Sequence, residues 1–357
     1  AEWDRSAGSL AWTPDGAQLI VTATDLGHQN IFALDVASGD VRRLTQTGYH
    51  SDAVPVPQGI WMLRDDLANP AEIHFLANGS RLAQRRTHVN DERLAEARLG
   101  DYEQFTFTGA HGDTVHAWLV KPVGFDPSRT YPVVMLIHGG PQGSMGNHFH
   151  YRWNAQAFAG AGFAAVMVDF HGSTGYGQAF CDAIRGDWGG APYEDIMAGL
   201  DHALKAYPFL DGERAGAAGG SYGGYMVNWI QGQTTRFKAL VAHAGNLDER
   251  FAYVATEELW FPEWDHHGMP WERDVPGTEH NPIEHVAKWQ TPELVIHGAK
   301  DFRVVESQGM ATFTALQRMG VPSRFLYFPD ENHWILKPQN AVLWHDTVLD
   351  WFTTYLK

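Results

Sequence analysis

The heptapeptide Gly219-Gly220-Ser221-Tyr222-Gly223-Gly224-Tyr225 sets a serine between glycines two residues away on each side. That spacing lets a chain turn sharply from strand to helix and leaves the serine hydroxyl exposed at the turn. The flanks agree with such a turn. Glu213–Ala218 follows an Asp211-Gly212 turn and reads as a short buried strand, and Met226–Ile230 reads as helix. In a chain with 37 glycines the pattern alone could be a structural loop, so the residues that would serve the serine decide the matter.

A serine hydroxyl needs a base near neutral pH, and the base needs an acid to orient it. Both lie downstream. Leu294–Gly298 reads as a short apolar strand, and Asp301 sits in the loop beyond its carboxyl end, where open α/β sheets carry their chemistry. Arg324–Phe328 reads as another strand, and His333 sits in the loop after it. Asp301 stands 80 residues after Ser221, and His333 a further 32 residues on. Those intervals hold two strand–helix units and then one, in the chain order serine, acid, histidine of an α/β-hydrolase. Ser221, Asp301 and His333 are therefore the expected triad. Among 19 histidines, His333 is selected by position and not by residue type.

An acyl-transfer site also needs donors for the oxygen that becomes negative. Val133–Ile137, the most strand-like run of the chain, ends in His138-Gly139-Gly140-Pro141. The Gly140 amide and that of Tyr222, directly after the serine, are the expected oxyanion donors.

The elements that must carry these residues alternate. A first strand begins near Val115, and further strands are expected at 133–138, 163–169, 214–219, 238–243, 293–297 and 323–328. Helical stretches fall near 152–161, 193–206, 222–234, 306–319 and 340–356, the last with Val342, His345, Leu349, Phe352 and Leu356 on one stripe. The alternation predicts an α/β fold, with a mostly parallel sheet and helices on both faces, over residues 105–357. The charged segment 85–104 reads as a linker. Residues 1–84 instead show short strands with Thr13-Pro14-Asp15-Gly16 and Ser38-Gly39-Asp40 turns, repeating at about 40 residues, the blade pattern of a β-propeller in about two copies.

Composition narrows the function classes. Of 357 residues, 44% are hydrophobic, and 42 acidic against 26 basic residues give a net charge of −16, which argues against nucleic acid or an anionic membrane as partner. No run of apolar residues is long enough to span a bilayer. The single cysteine, Cys181, excludes an internal disulfide and a multi-cysteine metal site. Asp265-His266-His267 and Glu279-His280 lack metal-ligand spacing and read as loop polars, so no metal or cofactor is expected. The run from Gly172 to Gly177 lacks phosphate-loop context and reads as a turn beside the active site. The N-terminus, with neither a methionine nor an apolar leader, reads as a processed precursor or a fragment.

The motifs at 138–141, 219–225, 297–304 and 332–334, in this order and spacing, resemble the catalytic half of prolyl oligopeptidase-family serine peptidases. The acylaminoacyl-peptidase and dipeptidyl-peptidase 5 branch is the nearer one, on residues 222–233, 256–264 and 328–340. The resemblance covers roughly residues 100–357, with His171-Gly172-Ser173 departing from the Arg-Gly-Ser of many relatives. It implies hydrolysis of short peptides near the N-terminus, and leaves dipeptidyl, acylaminoacyl and endopeptidase specificity open. An esterase, or an inactive fragment acting as a binding module, is the less favoured alternative. The pocket for the residue before the cleaved bond is expected beside the serine, with Tyr222 and Val304 foremost and Phe251 and Trp260 behind them. The resemblance also implies a propeller of roughly seven or eight blades, of which about five or six lie outside this chain, cut away or kept as a separate polypeptide. The expected partner is a peptide substrate, a homo-oligomer is left open, and relatives of this branch suggest a periplasmic or secreted location.

Overall fold

The structure, a computed structural model, describes residues 3–272 and 279–357. Eight short strands come first: β1 (Ser9–Trp12), β2 (Gln18–Asp25), β3 (His28–Asp35), β4 (Val41–Arg43), β5 (Tyr49–Val56), β6 (Gly59–Asp66), β7 (Asn69–Ala77) and β8 (Gln84–Arg85). They form two antiparallel four-stranded meanders, β1–β4 and β5–β8, linked by one parallel pairing of Gln29 with Tyr49. The turns follow from side chains that mimic backbone acceptors: Asp15 takes the Thr13 hydroxyl and the Ala17 amide between β1 and β2. Ile20, Ile31 and Ala33 of the first meander pack against Ile60, Met62 and Leu76 of the second.

The second sheet holds β9 (Tyr102–Thr108), β10 (Thr114–Val120), β11 (Tyr131–Ile137), β12 (Ala164–Asp169), β13 (Leu210–Gly220), β14 (Ala239–His243), β15 (Glu293–Gly298) and β16 (Ser323–Phe328). Their order across the sheet is β16-β15-β14-β13-β11-β12-β10-β9. β11 to β16 pair in parallel, whereas β9 and β10 add an antiparallel edge, so the sheet is mixed. β11 is buried along its whole length and reads as continuous apolar sequence because both faces are covered. The pleat divides its side chains: Val133, Met135 and Ile137 face the helices Ala191–Ala206 and Tyr222–Gln233. Val134 and Leu136 face Ala155–Gly160 and Pro338–Leu356.

Two expectations change. The stretch read as linker contains a short helix, Asp91–Glu96, and the first residues of β9. It is also tied down, since Arg85, Thr87 and Asn90 all bond the buried Glu72 carboxylate. The C-terminal helix buries Trp344, Val348, Trp351, Phe352 and Leu356, while Val342 of the expected stripe is 60% exposed. Three of those buried residues, Trp344, Trp351 and Val348, bring more area to the sheet than the stripe built on Val342 and His345, so the helix turns that face inward.

The two parts meet along the segment after β11. Asp65 accepts the His148 Nδ1–H at 2.7 Å and the Phe149 amide at 2.8 Å, and the Leu67 amide donates to Asn147 Oδ1 at 2.9 Å.

Candidate active site

Ser221 occupies the single-residue turn between β13 and the helix Tyr222–Gln233, at φ 60° and ψ −123°. A non-glycine residue at positive φ is strained, and the packing around it must hold it there. The Ser221 amide donates to the His243 carbonyl at 2.9 Å, and its own carbonyl accepts the Tyr225 amide at 2.9 Å. The flanking glycines are needed for space. A Cβ on Gly219 would lie 2.3 Å from the Gly223 carbonyl oxygen, and one on Gly223 would lie 2.2 Å from that of Ile137. The turn is thus pressed between the ends of β11 and β14.

Asp301 and His333 follow β15 and β16. His333 donates Nδ1–H to Asp301 Oδ2 at 2.7 Å, which leaves Nε2 as the ring's acceptor. Asp301 is 3% exposed, and its Oδ1 takes the amides of Arg303 and Val304, each at 3.0 Å. Behind it the fully buried His297 donates from Nε2 to the Val304 carbonyl at 2.7 Å. Burial opposes the charge on Asp301. The hydrogen bonds and potential of His297 and His333 outweigh it and hold the carboxyl well below the usual carboxylate range.

The loop after β11 completes the wall. His138 is buried, stacks on Phe170 with ring centroids 4.1 Å apart, and donates from Nδ1 to the Gly139 carbonyl at 2.8 Å. The Ser173 hydroxyl donates to its Nε2 at 2.8 Å, so the turn that begins at Gly172 braces this loop. Burial pushes the His138 pKa down, in keeping with the neutral tautomer that these bonds require. A Cβ on Gly139 would lie 3.1 Å from the Ser221 Cβ, which sets the loop directly against the serine.

Ser221, Tyr222, Gly140, Val304, Trp260 and His333 all line one cavity of about 740 Å³. Val304 is buried at its edge, and Tyr222 is buried with its hydroxyl donating to the Trp188 carbonyl at 2.6 Å. Phe251, in contrast, is 44% exposed on the helix Glu249–Ala255 and does not line the cavity. That helix turns Glu249 and Ala252 to the cavity, and Phe251 faces away from it. Asp265 corrects the reading of 265–267 as loop polars. It ends the helix Trp260–Asp265, is fully buried, and lines the cavity. Gln142 and Trp188 Nε1 donate to its carboxylate, at 3.1 and 2.9 Å. Burial raises its pKa against those bonds. Arg152, Trp153 and His243 also line the cavity and carried no sequence signal, whereas Trp334, which lines it too, closes the 332–334 motif. Among the described residues no three His, Cys, Asp or Glu side chains come together as a metal site.

Residues 149–357 match the family model described as the prolyl oligopeptidase family, peptidase S9. Dipeptidyl-peptidase 5 of Schizosaccharomyces pombe is 43% identical over 99% of this chain and 52% of that protein. A probable dipeptidyl-peptidase 5 of Aspergillus clavatus is 40% identical over 99% of this chain and 50% of its own length. The chain spans about half the length of the curated relatives it matches. Among solved structures, an acylaminoacyl peptidase of Pyrococcus horikoshii superposes with a TM-score of 0.90 at 23% identity, over 100% of this chain and 57% of that one. Dipeptidyl peptidase 4 of Porphyromonas gingivalis gives 0.82 at 21% identity, over 100% and 51%. These superpositions carry the α/β-hydrolase fold of the second sheet. With more than half of its residues inside the family model, the chain belongs to the prolyl oligopeptidase family.

Proposed function

We propose that this chain carries the catalytic part of a serine peptidase that releases dipeptides from the N-terminus of short peptides. The observation that carries the reading is the His333–Asp301 pair opening on the same cavity as a serine held in a strained turn. In this mechanism His333 Nε2 takes the proton of Ser221 as its oxygen attacks the peptide carbonyl. Asp301 fixes the imidazole tautomer and balances the imidazolium. The amides of Gly140 and Tyr222 receive the oxyanion; the amide of a first helical residue has no intrahelical partner and is free to do so. His333 then returns the proton to the leaving amine, and water releases the acyl group from Ser221 by the same steps.

The residue before the cleaved bond would sit against Tyr222 and Val304, with Trp260 a further candidate; that all three line the cavity supports this. The two N-terminal meanders, residues 1–84, are read as propeller blades, joined by 85–104 to the catalytic domain 105–357. Their four-stranded antiparallel form supports this, as does the roughly doubled length of the relatives, which leaves room for the remaining blades. Among the described residues no helix is long and apolar enough to cross a membrane, and a periplasmic or secreted location is the proposed one.

The test compares kcat/KM of the full-length protein for a dipeptidyl 4-nitroanilide and its N-acetylated twin, with Ser221→Ala as the blank. Preference for the free amine supports dipeptide release. Preference for the acetylated substrate would replace it with acylaminoacyl-peptidase or endopeptidase activity.

A further inference from the structure

Arg152 stands apart from the other arginines of the cavity. Arg303 pairs with Glu257 and Glu258, and Arg185 donates to the Trp264 carbonyl while stacking on that indole. Arg152 lines the same cavity, yet among the described residues its guanidinium has neither an ion pair nor a hydrogen bond. It lies over the Trp334 ring, 4.8 Å from its centroid. The titratable groups that feel its charge, His150 and His243, are held neutral. Burial first, and Arg152 among the nearby cations, push them down to about 4 and about 3. A guanidinium carries five donors and stays charged. Half-buried beside neutral rings, it meets no anion among the described residues.

Its position is also fixed. The segment that carries it is pinned three to four residues earlier by Asp65 at His148 and Phe149, and the amides of Arg152 and Trp153 both donate to His150 Nδ1 at 3.1 Å. Trp334 directly follows His333, the residue that hands a proton to the leaving amine in the mechanism above. A cation stacked on Trp334 therefore lies next to the residue that serves the leaving group.

We propose that Arg152 binds the C-terminal carboxylate of a short peptide on the leaving-group side, so that the favoured substrate is a peptide ending one residue beyond the cleaved bond. Arg152 is thereby a specificity residue for tripeptides with a free carboxylate. The inference rests on the peptidase reading, and its test keeps the two apart.

The probes are trialanine and trialanine amide, which differ only in the carboxylate, beside a dipeptidyl 4-nitroanilide. The full-length protein should show a kcat/KM for trialanine about tenfold or more above that for the amide, as a charge-assisted bidentate bond would give. Arg152→Gln keeps a flat group on Trp334 without the charge and should bring the ratio near one, through KM. Arg152→Lys should keep part of it. A wild-type ratio near one, or an equal loss on both tripeptides in Arg152→Gln, would overturn the proposal while anilide turnover leaves the peptidase reading standing. No cleavage of any of the three would sink the peptidase reading and this proposal with it.

Discussion

A Cβ on Gly223 would lie 2.2 Å from the carbonyl oxygen of Ile137, so the helix behind Ser221 rests directly on the end of the central strand β11. The relation ties the turn of the proposed nucleophile to the strand whose next residues, 138–141, form the glycine loop beside it. The serine and the proposed oxyanion donors are thus set by one close backbone contact.

Replacing Gly223 by alanine tests that contact, because two effects have opposite signs. In an open helix the change would stabilise by about 1 kcal/mol through helix propensity. Here the added methyl must displace backbone, at a cost of about 1–3 kcal/mol. Gly223→Ala should lower the midpoint of chemical denaturation; an unchanged or raised midpoint would show that the contact is slack.

Asp301 accepts two amides and the His333 imidazole, with His297 Nε2 at 3.5 Å from its Oδ2, so its substitution separates structure from charge. Asp301→Asn preserves the size of the side chain and removes the charge that fixes the His333 tautomer. Its kcat should fall by roughly 10⁴ with KM much less affected. Steady-state kinetics on the anilide gives the answer, and a loss below about tenfold would remove Asp301 from the role assigned to it.

Glu293 gives a pH prediction far from the cavity. It is fully buried at the start of β15, takes one bond from Gln231 Nε2 at 2.9 Å, and has no partner for Oε1 among the described residues. Burial outweighs that bond and pushes its pKa up to about 8. A carboxyl kept neutral by the fold contributes stability that is fully present below its unfolded pKa, near 4.3. That contribution is lost as pH rises toward about 8. Glu293→Gln should therefore raise Tm more at pH 8 than at pH 5. A difference independent of pH would mean that the carboxylate is solvated or paired in the fold.

Much of the layout was legible in the chain because its chemistry sits in loops at the ends of apolar strands. β11, β13, β15 and β16 announce themselves as short hydrophobic runs, and the proposed triad residues Ser221, Asp301 and His333 lie just past three of them. β9 was not legible, since an edge strand with Glu103 and Gln104 looks like the linker beside it. Asp265 was missed because its meaning lies in Gln142, a partner 123 residues away. Phe251 was misjudged because proximity to the site in sequence does not say which side of a short helix faces the cavity. Arg152 could not be read from sequence either. What distinguishes it is the lack of a carboxylate partner among the described residues.

The central claim is that Ser221 is the nucleophile, and covalent labelling reads it most directly. The full-length protein is treated with a fluorophosphonate and the modified residue located by peptide mass spectrometry, with Ser221→Ala and His333→Ala alongside. The account predicts one adduct, on Ser221, absent from Ser221→Ala and strongly slowed in His333→Ala. An adduct on another serine, or hydrolytic activity that survives in Ser221→Ala, would contradict it.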